Sequence, residues 1–115
     1  MKIACKVHEP MNAEGAKKYI NLDIGVESLN VKQIHSLSSK PVKNLIDPLD
    51  KSVLRVKVPF RYNRVMCKVT GPKTLQELVS GDSVNAELKY CGWWESDGFG
   101  GPSWKLVSVS HIKII

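Results

Sequence analysis

From Leu54 to Tyr62 every second residue is apolar: Leu54, Val56, Val58, Phe60 and Tyr62 alternate with Arg55, Lys57, Pro59 and Arg61. A period of two sends successive side chains to opposite faces of an extended chain, so this stretch reads as a strand with one buried face. The same period recurs along the sequence. Ile3, Cys5 and Val7 share one face near the start, and Ile20, Leu22 and Ile24 face away from Tyr19, Asn21 and Asp23. Val65, Cys67 and Val69 alternate with Arg64, Met66 and Lys68, and Val84, Ala86, Leu88 and Tyr90 alternate with Asn85, Glu87, Lys89 and Cys91. Residues 104–114 are strongly β-branched, and their register slips near Leu106 and Val107, which predicts a bulge. Pro59 cannot donate to a ladder and marks an edge, a bulge or a bend.

Between these runs, Glu9 to Gly15 reads as a turn or loop, and a short strand is expected over Leu29–Ile34. Residues 35–51, rich in Ser and Pro, read as a mobile loop, with one helical turn over Val42–Ile46 as the alternative. One short helix is expected in GPKTLQELVSGDSV: Pro72 opens it, Leu75, Leu78 and Val79 fall at helical spacing, and Gly81 ends it. SDGFGGPS reads as an adaptable glycine-rich connection between the last two strands. With 115 residues, 43% of them hydrophobic and 24% charged, the chain fits one all-β domain over 1–115 with a real core.

Three cysteines, Cys5, Cys67 and Cys91, far apart and without CxxC spacing, argue against a disulfide framework and a zinc site. They read as small buried apolar residues in a reducing, cytoplasmic (or host-cell) interior rather than in a secreted protein. Lys6 and His8 break the first apolar stretch too early for a signal peptide, and no apolar run reaches the roughly 18 residues of a membrane span. His8, His35 and His111 lie apart with no ligand spacing, no GxSxG element occurs, and the carboxylates are scattered. Neither catalysis, nor a metal, nor a cofactor is expected.

Charge is where the sequence is uneven. The chain carries 17 Lys and Arg against 11 Asp and Glu, a formal +6, which favours an anionic partner. Lys51, Arg55, Lys57, Arg61, Arg64, Lys68 and Lys73 follow one another with no acidic residue between them, whereas ordinary surfaces mix signs. Strand periodicity lines up Arg55, Lys57 and Arg61, then Arg64 and Lys68, as a stripe of cations for a phosphate backbone. Adjacent Trp93 and Trp94 must face opposite ways. Trp94 falls in phase with Leu88 and Tyr90 and is expected in the core. Trp93 falls in phase with Lys89 and is expected outside, as a platform for bases. Phe99, between two glycines, is a second stacking candidate, while Phe60, Tyr62 and Trp104 are expected in the core.

The C-terminal half, SGDSVNAELKYCGWW, a glycine-rich loop and PSWKLVSVSHIKI after a short helix, resembles small viral and phage-type single-stranded DNA-binding proteins with an OB fold. The likeness runs over about residues 53–114 and rests on Gly101, Ser103, Trp104, Lys105 and Leu106, the element that opens the final strand. It implies a five-stranded Greek-key barrel with one helix before its last two strands, and a groove of basic and aromatic side chains. It also implies sequence-tolerant binding of single-stranded DNA in support of replication or recombination. The acidic C-terminal tail by which some such proteins recruit partners has no counterpart; the chain runs to Ile114 and Ile115 in a strand. The candidate binding set is Arg55, Lys57, Arg61, Arg64, Lys68, Lys89, Trp93 and Phe99. Single-stranded RNA is the nearest rival ligand. A β-sandwich that docks a protein partner is the rival from another class, and a homo-oligomer stays open.

Overall fold

The structure, a computed structural model, describes residues 1–11, 18–62 and 64–112. Its strands are β1 (Lys2–Glu9), β2 (Lys18–Asp23), β3 (Asn44–Leu45), β4 (Leu49–Asp50), β5 (Val53–Val58), β6 (Phe60–Arg61), β7 (Arg64–Val65), β8 (Lys68–Thr70), β9 (Ser83–Ser96) and β10 (Phe99–His111). Among the described residues one α-helix, α1 (Ser28–Leu37), lies between β2 and β3, preceded by a 3-10 turn at Gly25–Glu27.

Five of these strands close a ring in the order β1-β2-β5-β10-β9 and back to β1. Every pairing in the ring is antiparallel except the one between β5 and β10, which is parallel. The period-two faces turn inward as expected. Ile20, Leu54, Val56 and Val84 are completely buried, and Val7, Leu22, Val58, Leu88, Trp104 and Leu106 nearly so. The predicted slip in the last strand is a bulge at Val107: Leu106 pairs with Leu88 but Ser108 pairs with Glu87, and burial returns inward at Val109.

Several local expectations are overturned. Residues 29–34 are helix, not strand. Val31 and Ile34 are three apart and His35 is the next residue, so one helical face carries them inward, whereas a strand would have split them. The helix expected after Pro72 shrinks to a single 3-10 turn, Leu75–Glu77. Only Leu75 and Leu78 need burial there, and residues three apart eclipse in a 3-10 turn. A capping box between Thr74 and Glu77 closes the turn, and Leu78 is already extended. The one short helix therefore precedes the third ring strand, not the last two strands. Residues 44–45 and 49–50 are paired strands and not a loop or helical turn; β3 runs parallel to Phe99–Gly100. The glycine-rich connection is also shorter than expected. Asp97 and Gly98, both at positive φ, make the turn, and Phe99 to Ser103 are already strand.

The long strand expected over 54–62 stops at Val58. Beyond Pro59 the chain leaves the ring and folds into a small hairpin, β6–β7, with Phe60 half-buried and Tyr62 exposed rather than in the core. Residues 64–69 accordingly form two short strands, not one. Of the cysteines only Cys5 is buried; Cys67 is half-buried and Cys91 exposed, and all three are free thiols. The expected loop over 9–15 falls mostly, and the end of the chain at Ile114 and Ile115 wholly, outside the described residues. Among the described residues no helix is long and apolar enough to cross a membrane.

Candidate functional site

Closing the ring brings four outward-facing residues into one row. Tyr19 on β2 pairs with Lys57 on β5, Lys57 with Lys105 on β10, and Lys105 with Lys89 on β9. Neighbouring strands lie about 4.8 Å apart, so the row sets an aromatic ring and three ammonium groups side by side across four strands. Like charges directly opposite one another repel. Among the described residues none of the three lysines has a carboxylate partner within ion-pair range.

A groove of about 930 Å³ runs over this row. Besides the row it is lined by residues that include Arg55, Arg61, Cys91 and Trp94, and among the described residues no carboxylate lines it. The Arg55 guanidinium lies 5.1 Å from the centre of the Tyr19 ring, a cation–π contact that holds both side chains at the groove wall. Among the described residues five cations thus line one groove: Arg55, Lys57, Arg61, Lys89 and Lys105.

The tryptophan assignment is reversed. Trp94 is 38% exposed and lines the groove, whereas Trp93 is half-buried with an indole N–H that has no acceptor among the described residues. The cause is a second bulge. Tyr90 pairs with Trp104 and Gly92 with Ser103, which leaves Cys91 as an extra residue opposite consecutive partners. Gly92 takes a φ of 86°, a conformation glycine adopts without cost, and the alternation changes phase at that point.

Four of the expected binding residues, Arg55, Lys57, Arg61 and Lys89, meet at the groove. Arg64 sits across the β6–β7 hairpin from Arg61 rather than on the groove wall. Lys68 lines a separate depression of about 430 Å³ with Lys2, Asn85 and Glu87, because β8 pairs with β10 at Ser108–Ser110. Phe99 is half-exposed at the base of the β9–β10 turn and lies off the groove. Sequence reading missed Tyr19, Trp94 and Lys105. For Tyr19 and Lys105 a signal existed: Tyr19 precedes inward Ile20, and Lys105 stands between inward Trp104 and Leu106.

Behind the groove, Trp104 donates its indole N–H to His35 Nε2 at 2.8 Å, and Tyr90 stacks obliquely on both rings. Accepting at Nε2 leaves the His35 proton on Nδ1, which faces Asp47 at 3.9 Å. Burial holds His35 below its ordinary pKa, opposed in part by the Asp47 carboxylate. The Tyr90 and Ser38 hydroxyls also bond to each other, so helix α1 is tied to the inner wall under the row. Elsewhere Asp82 accepts from Lys73 Nζ and the Val79 amide, and these bonds hold its carboxyl below the usual range. Among the described residues no group of three His, Cys, Asp or Glu stands close enough to hold a metal ion. No protein-family model, no curated protein and no solved structure matches the chain.

Proposed function

We propose that the chain is an OB-type barrel that binds single-stranded DNA, in a sequence-tolerant way and without chemistry, across the Tyr19–Lys57–Lys105–Lys89 row. The observation that carries this reading is the row itself: three lysines in register on adjacent strands, with no carboxylate among the described residues along the groove. Holding like charges together is unfavourable in the free protein and becomes favourable under a polyanion. Ammonium and guanidinium groups address phosphates, which every sequence shares. Tyr19 and Trp94 offer ring faces to bases, and every base has a π-face. A duplex keeps its bases stacked inside, so rings in a groove favour an unpaired strand.

The OB-type reading rests on the strand order. In OB barrels the ligand face is that of the second and third strands, and here the second and third ring strands, β2 and β5, supply Tyr19, Arg55 and Lys57. The position of α1 before the third ring strand departs from the resemblance.

The test is a titration of labelled oligo(dT) at several salt concentrations, with duplex DNA and a matched RNA strand alongside. Five phosphate contacts at about −0.7 each give a slope of log affinity against log salt of about −3 to −4. Replacing Lys57, Lys89 and Lys105 together by Ala removes about 2 from that slope. The variant should melt no lower than the parent, since only repulsion is lost. A flat salt response in the parent discards the proposal, and tighter binding of RNA than of DNA reassigns the ligand.

A further inference from the structure

Outside the ring, β6 and β7 project from the end of β5 as a separate two-stranded hairpin. Its base is anchored: Phe60 pairs with Val65, the Met66 amide donates to the Pro59 carbonyl at 2.8 Å, and Lys18 lies 5.3 Å from the centre of the Phe60 ring. An aromatic opposite a β-branched residue is a favourable cross-strand pair, and it sets the register of the pair beyond it. That second pair is unfavourable. Arg61 and Arg64 stand directly opposite each other, with Cβ atoms about 5 Å apart in such a pair. Among the described residues neither arginine has a carboxylate within ion-pair range. The next residue, Tyr62, is 86% exposed and held at a φ of 53°, where a bulky side chain is uncommon. An anchored base that sets two cationic side chains opposite each other, beside a solvated ring at positive φ, is an arrangement that a bound anion would relieve.

We infer that the β6–β7 hairpin is a phosphodiester clamp: Arg61 and Arg64 close from its two strands on one phosphate of the nucleic acid in the groove, and Tyr62 stacks on an adjoining base. This rests on the proposed single-strand binding. Arg61 also lines the groove, so the clamped phosphate continues the track laid by Arg55 and Lys57. Guanidinium forks suit the task because each offers two parallel donors to phosphate oxygens.

Salt titration of oligo(dT) binding separates a shared phosphate from two independent ones. If one phosphate is shared, Arg61→Ala and Arg64→Ala singly leave the slope near that of the parent, because the remaining arginine still neutralises it. The double variant then lowers the slope by about 0.7. If each single variant lowers it by about 0.7 and the double by about 1.4, the shared clamp is wrong. Tyr62→Ala should weaken oligo(dT) binding about fivefold or more, yet leave an abasic strand of equal length unaffected. Equal losses on both strands overturn the stacking role. Arg64→Glu provides the control for folding: it replaces repulsion by attraction across the hairpin, so it should melt no lower than the parent while binding more weakly. If all hairpin variants bind like the parent while the groove-lysine variant fails, the clamp falls and the groove reading stands. If the parent shows no salt-dependent binding, both fall.

Discussion

The indole N–H of Trp104 ends on Nε2 of His35, 2.8 Å away, and this bond requires the imidazole to be neutral. Protonation would turn the acceptor into a donor aimed at another donor, in a buried place. The folded-state pKa of His35 lies below its ordinary value, chiefly through burial. A depressed pKa means that the unfolded chain binds the proton more readily. The contribution to stability is therefore complete above the ordinary histidine value and is lost as pH falls from there through the folded value. The melting temperature should drop over that window, and His35→Gln, whose amide oxygen can still accept, should flatten the drop. An equally steep drop in the variant places the cause elsewhere.

The two tryptophans should separate in paired assays. Trp94→Ala weakens single-strand binding by about 1–3 kcal/mol, the usual worth of one stacked base, when measured well below the variant's own melting temperature. Trp93→Ala lowers stability by about 1–3 kcal/mol, less than a fully buried ring would. Trp93→Phe removes the N–H that lacks an acceptor and should melt close to or above the parent.

Thiol chemistry reports the groove directly. Cys91 is exposed on the groove wall, while burial and the nearby Asp23 carboxylate push Cys5 up to about 12. Iodoacetamide should therefore modify Cys91 in the folded protein and reach Cys5 only on unfolding. Bound oligo(dT) should slow the Cys91 reaction, read by mass spectrometry against time. Unchanged rates with saturating oligonucleotide place the ligand elsewhere.

Gly101 is a packing position. A Cβ there would run into the Ile46 carbonyl, which follows directly on strand β3. Gly101→Ala should lower stability by about 1–3 kcal/mol, as overpacking does, measured by urea denaturation. A variant as stable as the parent shows that the 44–46 segment shifts freely.

The inner faces of the ring were legible because burial writes a period of two, as in Ile20 and Leu22 or Leu54, Val56 and Val58. Helix α1 was not, since Leu29 and Val31 fit a strand while Val31, Ile34 and His35 fit a helix, and only packing against the ring decides between them. Trp93 and Trp94 were reversed because a bulge at Cys91 changes phase, and one strand read alone cannot show an extra residue. Arg55, Lys57, Arg61 and Lys89 were read correctly as lying on outer faces, as their place at the groove shows. Arg64 and Lys68 do not line the groove with the others, since Pro59 turns the chain out of the ring and β8 pairs with β10 elsewhere. Lys105 waited on a parallel register between residues almost fifty positions apart, which no local pattern encodes.

That same parallel join has a mechanical side. The antiparallel neighbours in the ring pair at three or more positions each, but β5 and β10 meet in register only at Lys57 and Lys105. The barrel is a hoop with one thin seam, and the seam passes under two cations. A polyanion laid across both lysines acts as a rivet, drawing together the two edges that backbone pairing holds least.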